Sequence, residues 1–165
     1  ECAAGTDPGA LNAFFESNAL LAGSDYQRAM PLPDGRVLWV FQDVYFRGRG
    51  GQVTFGHNAG LLQSGACFTL LRSGDYARPR AFLFPYQTQT QRHWFWPMAG
   101  DVGADGLFHL FVAEVRENSA PYLTQVEPLA TWKVALDLAT MDVVDRRPAS
   151  NASPALYGWS ARTAT

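Results

Sequence analysis

Polar and apolar positions alternate most plainly between Leu32 and Phe46, in LPDGRVLWVFQDVYF. Pro33-Asp34-Gly35-Arg36 has turn chemistry: proline presets φ, and aspartate and glycine tolerate a tight reversal. Val37 to Phe46 is rich in β-branched and aromatic residues and predicts one mostly buried strand. On a period of two, Val37, Trp39, Phe41 and Asp43 point to one side, and Leu38, Val40 and Gln42 to the other. Asp43 is therefore a carboxylate in line with an apolar row. The pattern recurs where Asp105-Gly106 precedes LFHLFVAE, with Glu114 closing the second apolar strand. Asp34 to Asp43 and Asp105 to Glu114 both span nine positions, and the copies lie 71 positions apart. Equal spacing of turn, strand and carboxylate points to a repeated β unit.

The flanking sequence fills in both units. Residues 7 to 17 predict a short helix, with Asp7 as cap, Pro8 in the first helical position, and Leu11, Phe14 and Phe15 on one face. Tyr26 to Pro31, Val53 to Gln63 and Cys67 to Arg72 predict three further strands, which with the central one make an antiparallel meander. Residues 73 to 92 carry Pro79, Pro85 and the polar run QTQTQR, and read as a long connection. The second unit opens at His93-Trp94-Phe95-Trp96. It continues through Leu107 to Val115, a loop over 116 to 130, Trp132 to Leu138, and a short strand at Asp142 to Arg146. An aromatic strand then begins again at SPALYGWS.

This is an all-β pattern: antiparallel four-stranded units at a period of about 60 to 70 residues, the arrangement of β-propeller blades. The boundaries fall at about 20–72 for a first blade, 93–148 for a second and 155–165 for the start of a third. A propeller needs at least four blades to close. The expectation is thus a single partial propeller domain whose missing blades come from downstream sequence or another chain. A self-contained β-sandwich of eight or nine strands is the alternative.

Composition narrows the partners. Hydrophobic content is 47% and aromatic content 13%, as in a folded, aromatic-rich protein, while charged residues make up only 17%. A net charge of −2 gives no attraction to nucleic acid or an anionic membrane. No apolar run reaches the roughly 18 residues that span a bilayer. His57, His93 and His109 have no metal-ligand spacing to each other or to the cysteines, so no metal or cofactor is implied. Cys2 and Cys67 either form one disulfide, which would suit export, or are two buried thiols. Asn151-Ala152-Ser153 matches a glycosylation acceptor.

In an antiparallel blade the start of the first strand and the end of the second share an edge. Asp25, Asp43 and Glu114 are thereby expected on one rim, together with the loops 46–52, 73–92 and 116–130. His57, Asn58, Trp94, Trp96, Tyr157 and Trp159 are the neighbouring polar and aromatic candidates for holding substrate. Carboxylate pairs over an aromatic-lined cleft suit glycoside hydrolysis, one acid protonating the leaving oxygen while the other activates water or attacks the sugar. The partner so implied is a polysaccharide or oligosaccharide. His109 reads as a satisfied residue between blades.

LPDGRVLWVFQDVYF, FGHNAGLLQSGACFTLL, HWFWPMAG, LFHLFVAEVRE and SPALYGWS together resemble the actinobacterial secreted five-bladed propellers long known as a domain of unknown function. The resemblance runs from residue 20 to 160. It implies a five-bladed ring and, through relatives assigned as endo-D-arabinanases, a sugar-cleaving or sugar-binding site of acids on the inner rim. Asp25 and Asp43 match the "D…LPDGR…D" pattern, with Glu114 as a modulator or substitute acid. Where strands of the family often end in glycine-aspartate-threonine, this chain has Gln42-Asp43-Val44. Three functions follow as expectations: a secreted or envelope-associated glycoside hydrolase acting on an arabinose-containing cell-envelope polysaccharide, a non-catalytic carbohydrate-binding propeller, and a protein-interaction propeller in an envelope assembly.

Overall fold

Asp7 starts helix α1 (Pro8–Ser17): its Oδ1 accepts the N–H groups of Gly9 at 3.0 Å and Ala10 at 3.1 Å, satisfying two of the donors a helix start leaves open. The computed structural model of the chain describes residues 1–17, 20–48, 50–75, 79–83, 93–117 and 126–149. These fall into two units, Glu1–Leu83 and Phe84–Thr165. In the described residues every sheet is antiparallel and α1 is the only helix.

In the first unit, β1 (Leu21–Ser24), β2 (Arg28–Pro31), β3 (Val37–Phe41), β4 (Val44–Arg47), β5 (Val53–Gly56), β6 (Ala59–Ser64) and β7 (Cys67–Leu71) build two sheets. One has the order β2-β3-β6-β7, the other β1-β4-β5. The single strands expected over 37–46 and 53–63 are each broken in two. Gln42-Asp43 divides β3 from β4, and His57-Asn58 divides β5 from β6. Asp25-Tyr26-Gln27 divides β1 from β2 in the same way, with Tyr26 held at φ 44°, a left-handed conformation rare for an aromatic residue. The three interruptions are neighbours: Asp25 N–H donates to Asp43 O at 2.9 Å, and Gln42 N–H to Asp25 O at 3.3 Å. Three strands thus leave one sheet and enter another at a common level. A two-residue ladder, β8 (Ser73–Gly74) with β9 (Pro79–Arg80), lies within the expected long connection.

The core of this unit is aromatic. Phe14 of α1 stacks on Phe68 at 4.7 Å, Phe15 meets Phe68 edge-on at 5.2 Å, and Val44, Phe46 and Leu61 are buried with them. The N-terminal segment is tied to β7. Cys2 is disulfide-bonded to Cys67, and Phe68 N–H donates to Glu1 O at 2.6 Å. The disulfide settles the alternative left open by the two cysteines.

The second unit is a four-stranded meander, β10 (His93–Val102), β11 (Phe108–Glu117), β12 (Val126–Leu136) and β13 (Val143–Pro148). β12 begins inside the span expected to be a loop. Pro128 argues against a strand there because it cannot donate to a ladder, but a bulge accommodates it: Glu114 pairs with Ala130 and Val115 with Pro128, leaving Leu129 outside the register. The residues at 155–165, expected to start a third blade, lie outside the described residues, as do Tyr157 and Trp159.

The two Asp-Gly turns, one in each unit, are built alike. Leu32 N–H donates to Arg36 O at 2.8 Å and Gly35 N–H to Leu32 O at 3.1 Å; Gly103 N–H donates to Leu107 O at 2.9 Å and Gly106 N–H to Gly103 O at 3.0 Å. Gly35 and Gly106 sit at φ 85° and 77°, and a Cβ at either position would meet no atom within 4 Å. The obstacle to a side chain is therefore backbone conformation alone. Gly35→Ala and Gly106→Ala are each expected to cost about 1–2 kcal/mol, measured by denaturant unfolding, and a cost at one turn but not the other would break the equivalence.

Three aspartates close turns and share one consequence. Asp34 accepts the Arg36 N–H and pairs with its guanidinium, Asp105 takes the His109 ring and the Leu107 N–H, and Asp137 takes the N–H groups of Thr140 and Ala139. These bonds favour the ionised form, so all three carboxyls are held below their ordinary value. A depressed carboxyl stabilises the fold above its unfolded value, and that contribution disappears as pH falls through the folded one. Asp105→Asn should therefore lower Tm at pH 6, with the difference from wild type closing as pH falls below about 4. A difference that stayed constant across that range would contradict the linkage. His109 thus clamps its own turn through Asp105.

Candidate functional site

The common break in the three strands gathers Asp25, Asp43 and His57. Asp43 N–H donates to Asp25 Oδ1 at 3.0 Å, so the first carboxylate holds the backbone that carries the second. His57 Nδ1 lies 3.1 Å from Asp43 Oδ1. The side chains of His57 and Asp43 are 35% and 31% exposed, open enough to reach a ligand and covered enough to be held in place. Continuing the β4–β5 register past Val44↔Gly56 sets Asp43 opposite His57, which is why two residues 14 positions apart meet. Tyr26 follows Asp25 in the chain, with the Arg28 guanidinium 5.8 Å from its ring centre. Burial pushes its phenol up, and the arginine partly offsets this. Nothing in the sequence pattern singles out Tyr26, because its backbone conformation is imposed by the break.

Asn58, expected among the residues that hold substrate, fastens β6 to the segment that carries Leu83. It is fully buried, its Nδ2 donates to Leu83 O at 2.9 Å, and its Oδ1 accepts the Leu83 N–H at 2.6 Å. β4 and β5 run from the Asp43 end to the Arg47–Val53 pair, so both ends of the expected rim loop at 46–52 lie at the opposite end of that ladder from Asp43.

Glu114 belongs to the second unit. At the β11–β12 bulge its Oε2 accepts the Trp132 Nε1–H at 2.7 Å, and its Oε1 lies 3.4 Å from His93 Nδ1. Its side chain is 15% exposed and that of His93 11%. Of the two tryptophan candidates, Trp94 is buried and packed with Met98, Ala113 and Val115. Trp96 is half-buried and meets Trp94 edge-on at 6.0 Å. The structure thus brings together Asp25, Asp43 and His57 in one unit, and Glu114 with His93 and Trp132 in the other.

A cavity of about 600 Å³ lies beside the first cluster, between α1 and the sheets. Phe15, Trp39, Phe41, Ser24 and Gln27 line it, but Asp25, Asp43 and His57 do not. Ser24 and Gln27 flank Asp25 in the chain, so the cavity adjoins the carboxylates without containing them. Among the described residues no group of three His, Cys, Asp or Glu could hold a metal ion. No described helix is long and apolar enough to cross a membrane.

The architecture has a counterpart in a crystal structure of a candidate hydrolase from Bacteroides ovatus ATCC 8483. The two share a TM-score of 0.69 at 18% identity, over 83% of this chain and 42% of that one. At that identity the likeness is one of fold, and this chain spans less than half the length of its counterpart. No curated protein matches the sequence. Residues 9–164 match the profile of the domain of unknown function DUF5005, so the chain belongs to the DUF5005 family.

Proposed function

We propose that this chain is part of a glycoside hydrolase that cleaves an arabinose-containing cell-envelope polysaccharide, with Asp43 and Asp25 as its acid/base pair. The observation that carries the reading is the meeting of Asp25, Asp43 and His57 at one half-exposed break in three strands. Hydrolysis needs two carboxyl groups on opposite sides of a glycosidic bond. One gives its proton to the leaving oxygen as the C–O bond breaks, and the other takes a proton from the water that adds to the anomeric carbon. His57 fixes the orientation of Asp43 through Oδ1. Support from outside the chain is the fold it shares with a candidate hydrolase. The disulfide supports an oxidising, extracytoplasmic setting. In this reading the sheets are blades of a five-bladed propeller, and the remaining blades come from further sequence or a second chain. Glu114 is an auxiliary acid if the ring brings it to the same rim.

One observation favours the binding-module reading: Asp25 already accepts the Asp43 N–H, a structural task for a carboxylate. The full-length protein should be incubated with arabinan, galactan and arabinogalactan, and the products separated by size. Release of oligosaccharides from the arabinose-containing polymers is the expected result. Binding without release would replace the hydrolase with a carbohydrate-binding module.

A further inference from the structure

The outer face of the β1-β4-β5 sheet carries an aromatic strip that leads to Asp43 and His57. Tyr45 and Phe55 are directly paired across β4 and β5, with ring centres 5.3 Å apart, and they are 51% and 49% exposed. Alternation along each strand puts Tyr45 on the side of Asp43 and Phe55 on the side of His57. The Phe55 and His57 rings meet edge-on at 4.9 Å. Beyond the aromatics, Arg47 pairs with Val53, and both are exposed. On the near side Gly23 pairs with Tyr45 and offers no side chain to cover the ring. Cross-strand aromatic pairs do stabilise sheets, but these rings are half open to water while the same strands bury Val44 and Phe46 completely.

We infer that Tyr45 and Phe55 form a sugar-binding subsite, continuous with the Asp43–His57 pair, on which the rings of a polysaccharide lie. An apolar strip with hydrogen-bonding groups at both ends, Arg47 on one side and Asp43 and His57 on the other, fits a neutral polyhydroxylated chain. Such a ligand presents C–H faces to aromatic rings and hydroxyls to charged groups. This inference rests on the functional reading above for the identity of the ligand, though not for catalysis.

The test uses the full-length wild-type protein at low temperature, with the glycans checked for cleavage after each titration. Affinities for arabinan, galactan and arabinogalactan, and for oligosaccharides of increasing length, would be measured by calorimetry. Affinity should rise with chain length. Tyr45→Ala combined with Phe55→Ala should weaken binding of the long ligands about tenfold or more and flatten the length dependence. Tyr45→Phe combined with Phe55→Tyr preserves both faces and should retain the affinity. If the alanine variant binds as tightly as its parent, or if the parent binds none of these glycans, the subsite is overturned. Loss of self-association in the alanine variant with unchanged glycan affinity would instead make the strip a contact with a second copy. Glycan binding that depends on the strip, in a protein that releases no product, would sink the hydrolase and leave the subsite standing.

Discussion

Replacing Asp43 by asparagine should reduce sugar cleavage by about 10²–10⁴-fold, the range supplied by one general acid or base, while leaving the protein folded. The side chain is 31% exposed, and the His57 ring that it meets at 3.1 Å is similarly open. Pairs of that kind contribute about 0–1 kcal/mol, and asparagine keeps an oxygen that can accept from His57. Catalysis and stability should therefore separate at this position. Asp25→Ala makes the informative contrast. It removes the acceptor of the Asp43 N–H and should cost about 1 kcal/mol of stability in addition to activity, because the backbone carrying Asp43 loses its anchor. His57→Ala should leave the fold intact and lower kcat more than it raises KM, as expected of a positioning residue. Initial rates on the polymer found to be a substrate, with Tm measured in parallel, decide the matter. An Asp43→Asn protein with full activity would remove Asp43 from the chemistry. Parallel loss of activity and of several degrees in Tm would make it a structural residue.

What is legible in the sequence is what local chemistry controls. Asp7 and Pro8 announce α1, and the repeated Asp-Gly turns announce the hairpins, because caps and turns are settled within a few residues. The strand breaks are not legible in the same way. Both halves of VLWVFQDVYF are apolar, so the run reads as one strand. Its division depends on two sheets diverging, a tertiary matter. A signal is nevertheless present. Gln42-Asp43 and His57-Asn58 are adjacent polar pairs that interrupt the alternation of otherwise apolar runs, and they fall at the break. Taking Val37 to Phe46 as continuous also hides Tyr45. Within a single buried strand it would face the core or its cover, whereas on the outer sheet it faces water. Asn58 escapes a pattern-based reading for a different reason. Its partner, Leu83, is 25 residues away and no local pattern announces the bond. Asp25 and Asp43 are the easier case, since residues at the ends of neighbouring strands come together, here through the Asp43 N–H and the Asp25 carboxylate.

Removing the disulfide should give the largest stability change. Cys2 and Cys67 are 65 positions apart, so the bond closes a loop around most of the first unit. Loop-closure entropy for that length corresponds to about 4 kcal/mol, with measured losses of native disulfides in the range of about 2–5 kcal/mol. The N-terminal segment has other anchors: the Phe68 N–H to Glu1 O and Ala3 N–H to Ala66 O bonds, and Phe14 stacked on Phe68. Those contacts hold the segment once the unit is folded, but they disappear on unfolding and place no limit on the unfolded chain. The covalent bond does limit it, and its effect should therefore persist despite them. Cys2→Ser combined with Cys67→Ser is expected to lower Tm by on the order of 10 °C. A reducing agent should bring the wild-type protein down to the same Tm and leave the variant unchanged. This paired comparison separates the cross-link from any effect of the serines themselves. If the double variant melted with the oxidised wild type, the N-terminal contacts alone would be sufficient. Loss of the bond also bears on the site, since β7 pairs with β6, and β6 follows directly from His57 and Asn58. Fraying from β7 inward should loosen the Asp43–His57 pair before the sheet as a whole melts, so the reduced protein should lose ligand affinity below its own Tm.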